Sequence, residues 1–234
     1  NVNSYQDKDT GFAELLTLAA KESEIERIRF LTSHPKDLTA PVLETIASHP
    51  CLARHIHLPL QAGSNPVLAR MNRGYTREEY RELISLTREL IPEISITSDI
   101  MVGFPRETEK QFEETLALVE EVAFDDAFTY RYSRRSGTKA ADFKEQVPEE
   151  IKLRRLDRLI NLQRSITTDK KRKYIGRTVN VLATHTSKKS EDEWYGLSST
   201  NHSVVLPKKN YKAGDLVQVL ITACAGNTLR GKPV

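Results

Sequence analysis

Three apolar, β-prone runs end in short polar segments, and those exits hold the residues best able to do chemistry. His55-Ile56-His57-Leu58-Pro59-Leu60 reads as a short buried strand stopped by Pro59. It leads into Gln61-Ala62-Gly63-Ser64-Asn65, a turn whose N–H groups and Gln61 amide can face a ligand. Gln61 and Ser64 together suit ribose hydroxyls. Ile94–Val102 runs into Gly103-Phe104-Pro105-Arg106-Glu107-Thr108, and Ile28–Thr32 into Ser33-His34-Pro35. Asp99 stands inside the second run, where an unpaired carboxylate is unfavourable. It therefore either contacts a ligand or pairs with a neighbouring Arg or Ser. Gly103 permits close backbone approach. His34 is held extended by Pro35, and Ser33 with His34 reads either as a ligand-facing pair or as structural hydrogen bonding. His55 and His57 share one strand face, with one read as core and neither as a metal ligand. No strand exit offers a Schiff-base lysine or paired catalytic carboxylates, which argues against an aldolase or hydrolase.

These exits need strands held side by side, and the intervening segments are helical. Phe12, Leu15, Leu16, Leu18 and Ala19 have helical spacing, and Thr39 with Pro41 opens a second helix. Thr76 with Glu79 and Thr108 with Gln111 are capping boxes opening two more. A fourth strand, Ala127 to Tyr132, leads to Arg134 and Arg135, which read either as contacts to phosphate or carboxylate or as a solvated pair. Strand, polar exit, helix, strand is the signature of βα units with parallel strands, whose ligands sit beyond the strands' carboxyl ends. Four such strands predict a partial barrel or open sheet rather than a closed eight-fold barrel.

Pro148-Glu149-Glu150 opens a long helix to about Tyr174, with Lys170-Lys171-Arg172-Lys173 in its last turn, an order that complements the helix dipole. Short β-prone runs follow at Thr178–Ala183, Trp194–Leu197, Ser203–Leu206 and Leu216–Thr222, predicting a small OB-like β-barrel. The expected division is residues 1–174, an α/β body, and 175–234, the barrel. Charge follows the same line. Residues 1–150 carry 18 Lys/Arg against 26 Asp/Glu, residues 151–174 carry 9 against 2, and residues 175–234 carry 8 against 4. A basic last third points to a polyanion partner or to a solvated basic helix. Lys188, Lys189, Lys208 and Lys209 fall in turns near Trp194, so the barrel can neutralise phosphates while Trp194 either stacks on a base or fills the barrel core. No apolar run approaches the length of a membrane span. The two cysteines, Cys51 and Cys224, are far apart and lack metal-ligand spacing, which with that expectation suggests a reduced, cytoplasmic setting. Asn1 in place of Met, in mid-motif, predicts a piece of a longer protein.

Taken in order, NVNSY, RFLTSHP, HIHLPLQAGSN with MNRGYTREEY, SDIMVGFPRET and YSRRSGTKAA resemble the radical S-adenosylmethionine methylthiotransferases, with NVNSY and TSHP pointing to the tRNA (MiaB-type) branch. The closing β segment is similar to that family's TRAM domain, an RNA-binding barrel. The resemblance covers nearly all 234 residues. It departs at Arg106, Arg134 and Ser136, where the family more often has Gly, Pro and Pro. The family's CxxxCxxC motif and N-terminal domain precede the NVNSY segment and do not occur in this sequence.

What the resemblance implies is methylthio transfer to an isopentenylated adenosine beside the anticodon, with S-adenosylmethionine cleaved at a 4Fe–4S cluster and hydrogen abstracted from an inert adenine carbon. The cofactor carries that step while the protein binds, orients and excludes water. The full enzyme would use both cofactors and tRNA. This chain alone is expected to hold no cluster, to be inactive, and to need the preceding N-terminal portion as partner. On the same basis Asn1, Asn3, Ser33, Gln61, Ser64, Asp99, Gly103 and Phe104 are expected to contact S-adenosylmethionine. Arg134, Arg135, Lys188, Lys189, Lys208, Lys209 and Trp194 are expected on the RNA side. The sequence also admits a stand-alone RNA-binding or assembly protein without catalysis.

Overall fold

The computed structural model describes every residue except Asn1, Asp9, Thr32 and Ser33. A small hairpin of β1 (Gln6–Asp7) and β2 (Thr10–Gly11) precedes α1 (Phe12–Glu22) and α2 (Ala40–Ser48). Then come β3 (His55–His57), α3 (Asn65–Arg70), α4 (Arg77–Leu90), β4 (Ser95–Val102), α5 (Glu109–Val122) and β5 (Asp126–Arg131). The long α6 (Glu149–Arg172) leads to β6 (Thr178–Thr186), β7 (Glu193–Ser198), β8 (Ser203–Pro207), β9 (Leu216–Ala225) and β10 (Thr228–Pro233).

β3, β4 and β5 form a parallel sheet in that order, with Asp99 opposite Phe128. Parallel strands need helical crossovers, and here both capping boxes start them. The Thr76 side chain accepts from Glu79 N at 3.2 Å and Thr108 from Gln111 N at 3.3 Å. The apolar faces of α2, α4 and α5, with Leu43, Ile46, Tyr80 and Phe112, join Ile96 of the sheet and Phe124 in one buried core. Of the expected strand over residues 28–32, Thr32 lies outside the described residues and residues 28–31 keep one parallel bridge, Ile28 to Leu52. Its partner segment is the tight turn after α2, where Leu52 N donates to His49 O at 3.1 Å, so the ladder stops.

The last 57 residues close into a five-stranded barrel, order β10-β8-β7-β6-β9. A methyl added to Gly196 would lie 2.4 Å from Leu182 O, so only glycine lets those strands approach. The fifth strand, β10, has no counterpart among the runs expected from sequence. Its alternating Thr-Leu-Arg-Gly-Lys-Pro is too polar to read as a strand, and the turn at Gly226 and Asn227 completes the hairpin. The barrel and the sheet are joined directly. Arg27 donates to Leu197 O at 2.6 Å and Asn180 O at 3.2 Å, and Lys171 Nζ donates to Asn227 O at 2.9 Å.

Candidate functional site

Where the open face of the sheet meets the barrel lies a cavity of about 820 Å³. His55, His57, Gln61, Thr97 and Asp99 form its sheet wall, Phe128 and Tyr130 supply apolar surface from β5, and Asn201, His202 and Asn227 of the barrel close it. This wall exists because a parallel strand shows alternate residues to each face. Ile96 and Ile100 point into the helical layer, while Thr97 and Asp99 point into the cavity. Gln61 sits at the strand exit with φ 65°, bridged to β4 by Gln61 N to Asp99 O and Met101 N to Gln61 O, both 2.8 Å.

A polar chain runs along the wall. His57 Nε2 lies 3.3 Å from Asp99 Oδ2, and Thr97 Oγ1 lies 3.0 Å from both His57 Nδ1 and His55 Nε2. Burial first, then the Arg29 charge, pushes His55 down to about 3, so it is neutral. Burial likewise pushes His202 down to about 4 against the opposing pull of Asp125, 4.0 Å away. Arg73 and Lys171 add cationic groups to the rim.

Gly103 and Phe104 close a separate cluster beyond the end of β4. Gly103 has φ 73° and packs against the Lys152 stem, and its N–H donates to Glu107 Oε2 at 2.5 Å. Phe104 packs edge-on to Tyr132 and Phe143. Arg106 holds φ 67° at the position where the family more often has glycine. Its side chain lies 3.0 Å from Glu145.

The expected ligand residues therefore separate. Gln61 and Asp99 line the cavity together. Ser64 is fully buried at the start of α3 with its hydroxyl unpartnered, Asn3 is buried in a 3₁₀ turn, and Asn1 and Ser33 lie outside the described residues. His34 is half-buried, its ring edge-on to Tyr75. Arg134 and Arg135 are exposed in the loop after β5, away from the cavity. The His57–Asp99 pair, Arg73, Phe128 and the barrel's Asn201 and His202 complete the site. The His-x-His and Thr-x-Asp alternation of β3 and β4 carried a signal for the pair, whereas the barrel's contribution depends on a contact 146 residues away in the chain.

On the barrel, a groove of about 370 Å³ is lined by His185, Ser187, Lys188, Lys189, Tyr195 and Arg230 among others. The His185 and Tyr195 rings stack at 4.8 Å and 10°. Lys208 Nζ donates to Glu191 O at 3.1 Å, Lys209 is exposed, and Trp194 lies in the barrel core. Among the described residues no group of three or more His, Cys, Asp or Glu side chains is placed to hold a metal ion. No helix among them is long and apolar enough to cross a membrane.

Comparison with known proteins agrees with this arrangement. Residues 5–119 match the radical SAM superfamily and residues 172–234 match the TRAM domain. Over all of this chain, a Clostridium botulinum tRNA-2-methylthio-N(6)-dimethylallyladenosine synthase is 44% identical, with 53% of its own length covered. The Desulforamulus reducens protein of the same name is 46% identical, with 52% covered. The chain thus spans about half the length of the curated relatives it matches. The fold is similar to that of coproporphyrinogen III oxidase from Escherichia coli, a radical SAM enzyme, with TM-score 0.52 and 16% identity over 74% of this chain and 46% of that one. With a parallel α/β body, a TRAM barrel and similarity that runs the whole length of this chain, the chain belongs to the radical SAM methylthiotransferase family.

Proposed function

We propose that this chain is the nucleoside- and RNA-binding part of a tRNA methylthiotransferase acting on an N6-isopentenylated adenosine beside the anticodon, in the cytoplasm. The single observation that carries the reading is the cavity shared by the βα sheet and the TRAM barrel, which brings an RNA-binding module against the strand exits. S-adenosylmethionine and a 4Fe–4S cluster, when bound in the full protein, would supply one-electron chemistry at an otherwise inert carbon. The side chains of this chain bind and orient. Gln61 and Asp99 accept or donate to ribose hydroxyls, His57 holds the Asp99 carboxylate in place, and Phe128 offers a flat apolar surface to a base. Ser64, Gly103 and Phe104 support these exits from behind, and Asn3 does so from the N-terminal turn. Residues 1–174 form the body and 175–234 the RNA-binding barrel. Lys188 and Lys189 flank the groove, with Lys208, Lys209, Arg134 and Arg135 extending the basic surface toward phosphate.

Calorimetry with 5′-deoxyadenosine and filter binding with tRNA test the two halves separately. The reading expects both to bind, the nucleoside weakly. RNA binding without nucleoside binding would instead support a non-catalytic RNA-binding protein.

A further inference from the structure

The barrel contributes one residue to the cavity wall whose chemistry extends beyond RNA contact. Asn201, in the β7–β8 turn, has φ 64° and reaches His55, Nδ2 to Nε2 at 3.4 Å. Its orientation is fixed, because Arg29 donates to the Asn201 carbonyl Oδ1 and so leaves the NH₂ facing His55. The turn itself is stapled. Asn201 N donates to Ser198 O at 3.0 Å, His202 N to Ser198 Oγ at 3.0 Å, and the Ser198 and Thr200 hydroxyls lie 2.9 Å apart.

Hydrogen counting along the wall then gives a definite pattern. His55 Nδ1 is buried without a partner, so nothing on that side selects a tautomer, and the choice falls to Nε2. There the Asn201 amide presents hydrogens, which makes Nε2 an acceptor and places the His55 proton on Nδ1. Thr97 has one hydroxyl hydrogen and two imidazole nitrogens at 3.0 Å. If it donates to His55, Thr97 Oγ1 is left to accept from His57 Nδ1–H; a third and longer acceptor, Ile56 O, lies 3.5 Å away. If it donates to His57, neutral His57 is satisfied.

We propose that Asn201 is a positioning residue of the cavity: by holding His55 Nε2 as an acceptor, it makes His55 compete with His57 for the Thr97 hydroxyl beside Asp99. The inference concerns the protein's own wall and holds whichever nucleoside or RNA is bound. The charged and titratable groups around the chain are Asp99, Asp125, Asp126, Arg29, His202, Arg73 and Lys171, with the Phe128 ring edge-on to His57 at 6.1 Å.

Nitrogen-15 NMR of the histidine side chains in the full chain tests it. Wild type is expected to show His55 protonated at Nδ1 and bare at Nε2. Asn201→Asp keeps the Arg29 partner and tolerates the left-handed backbone, but donates nothing. His55 is then expected to move its proton to Nε2 and donate to Thr97, committing the hydroxyl to His57. The His57 Nδ1 signal is then expected to report a bare acceptor nitrogen. Asn201→Gly, free at that φ, should act in the same direction. A merely structural asparagine would change melting temperature and leave both readouts in place. A wild-type His55 already protonated at Nε2 overturns the proposal even if neither variant folds. So does an Asn201→Asp variant with unchanged His55 tautomer and His57 Nδ1 signal.

Discussion

Arg155 of α6 and Glu107, at the exit of β4, form an ion pair of 2.9 Å with side chains 4% and 0% exposed. Arg155 also donates to Glu107 O at 3.0 Å, while Glu107 Oε2 accepts from Gly103 N. The long helix is thereby tied to the loop that ends the central strand. Burial pushes the Glu107 carboxyl up, against the pull of the Gly103 N–H and of Arg155. Replacing Arg155 by Met leaves a buried carboxylate uncompensated, and removing one partner of such a pair destabilises by about 3–5 kcal/mol. Urea denaturation of Arg155→Met should show a loss of that order, and Glu107→Gln in the same background should recover part of it. Equal stability of wild type and Arg155→Met would remove the pair from the account.

His202 supplies the pH dependence. Its pKa in the fold is about 4 against an ordinary 6.5, chiefly because it is buried. The folded state therefore binds fewer protons, and stability present above about 6.5 is lost as pH falls toward 4. On the order of 3 kcal/mol is at stake for a shift of this size. His55, held at about 3, adds to the loss with the same sign. Denaturation midpoints should fall between pH 7 and 5, and His202→Asn should flatten that fall. A wild-type midpoint constant over this range would contradict the assignment.

Much of the α/β body is legible in the sequence because its signals are local. Thr76 with Glu79 and Thr108 with Gln111 form their boxes within four residues, and the exits after His57 and Val102 follow from Pro59 and Gly103. Gln61 and Asp99 are legible as cavity residues for the same reason, since a strand's alternation fixes which face each residue takes. The rest depends on distant chain. Asn201 reaches the wall only because the barrel docks on α6, and β10 forms only because β8 and β9 accept it. Trp194, open in the sequence between stacking and core, is 9% exposed in the barrel cluster, while the stacked His185 and Tyr195 pair occupies the groove.

Anaerobic reconstitution with iron and sulfide should leave this chain essentially colourless, since its cysteines, Cys51 and Cys224, join no cluster of metal-binding side chains among the described residues. Near four irons per chain with visible absorbance would contradict this. Calorimetry should then find 5′-deoxyadenosine and intact S-adenosylmethionine binding with similar weak affinity, and Asp99→Ala weakening both. A large preference for the intact molecule would mean that another group, such as Arg73, holds its methionine end.

Binding of tRNA should weaken with salt, log K falling by about 0.7–0.9 per phosphate neutralised. Lys188→Ala with Lys189→Ala should flatten the slope by about one to two. Tyr195→Ala should weaken binding at every salt concentration, a stacked base being worth roughly 1–3 kcal/mol. Trp194→Ala should lower the melting temperature, since truncating a core tryptophan costs about 3–5 kcal/mol. A Trp194→Ala variant that melts normally and loses RNA would reverse the roles of the two rings.

The proposed methylthio transfer to tRNA is tested most directly on the nucleosides of a cell in which the gene encoding this chain is disrupted. Digested bulk tRNA, separated and weighed by mass spectrometry, should lose the 2-methylthio-N6-isopentenyladenosine signal and accumulate N6-isopentenyladenosine. Restoring the gene should return the methylthio nucleoside. An unchanged ratio of the two nucleosides after disruption would contradict the account.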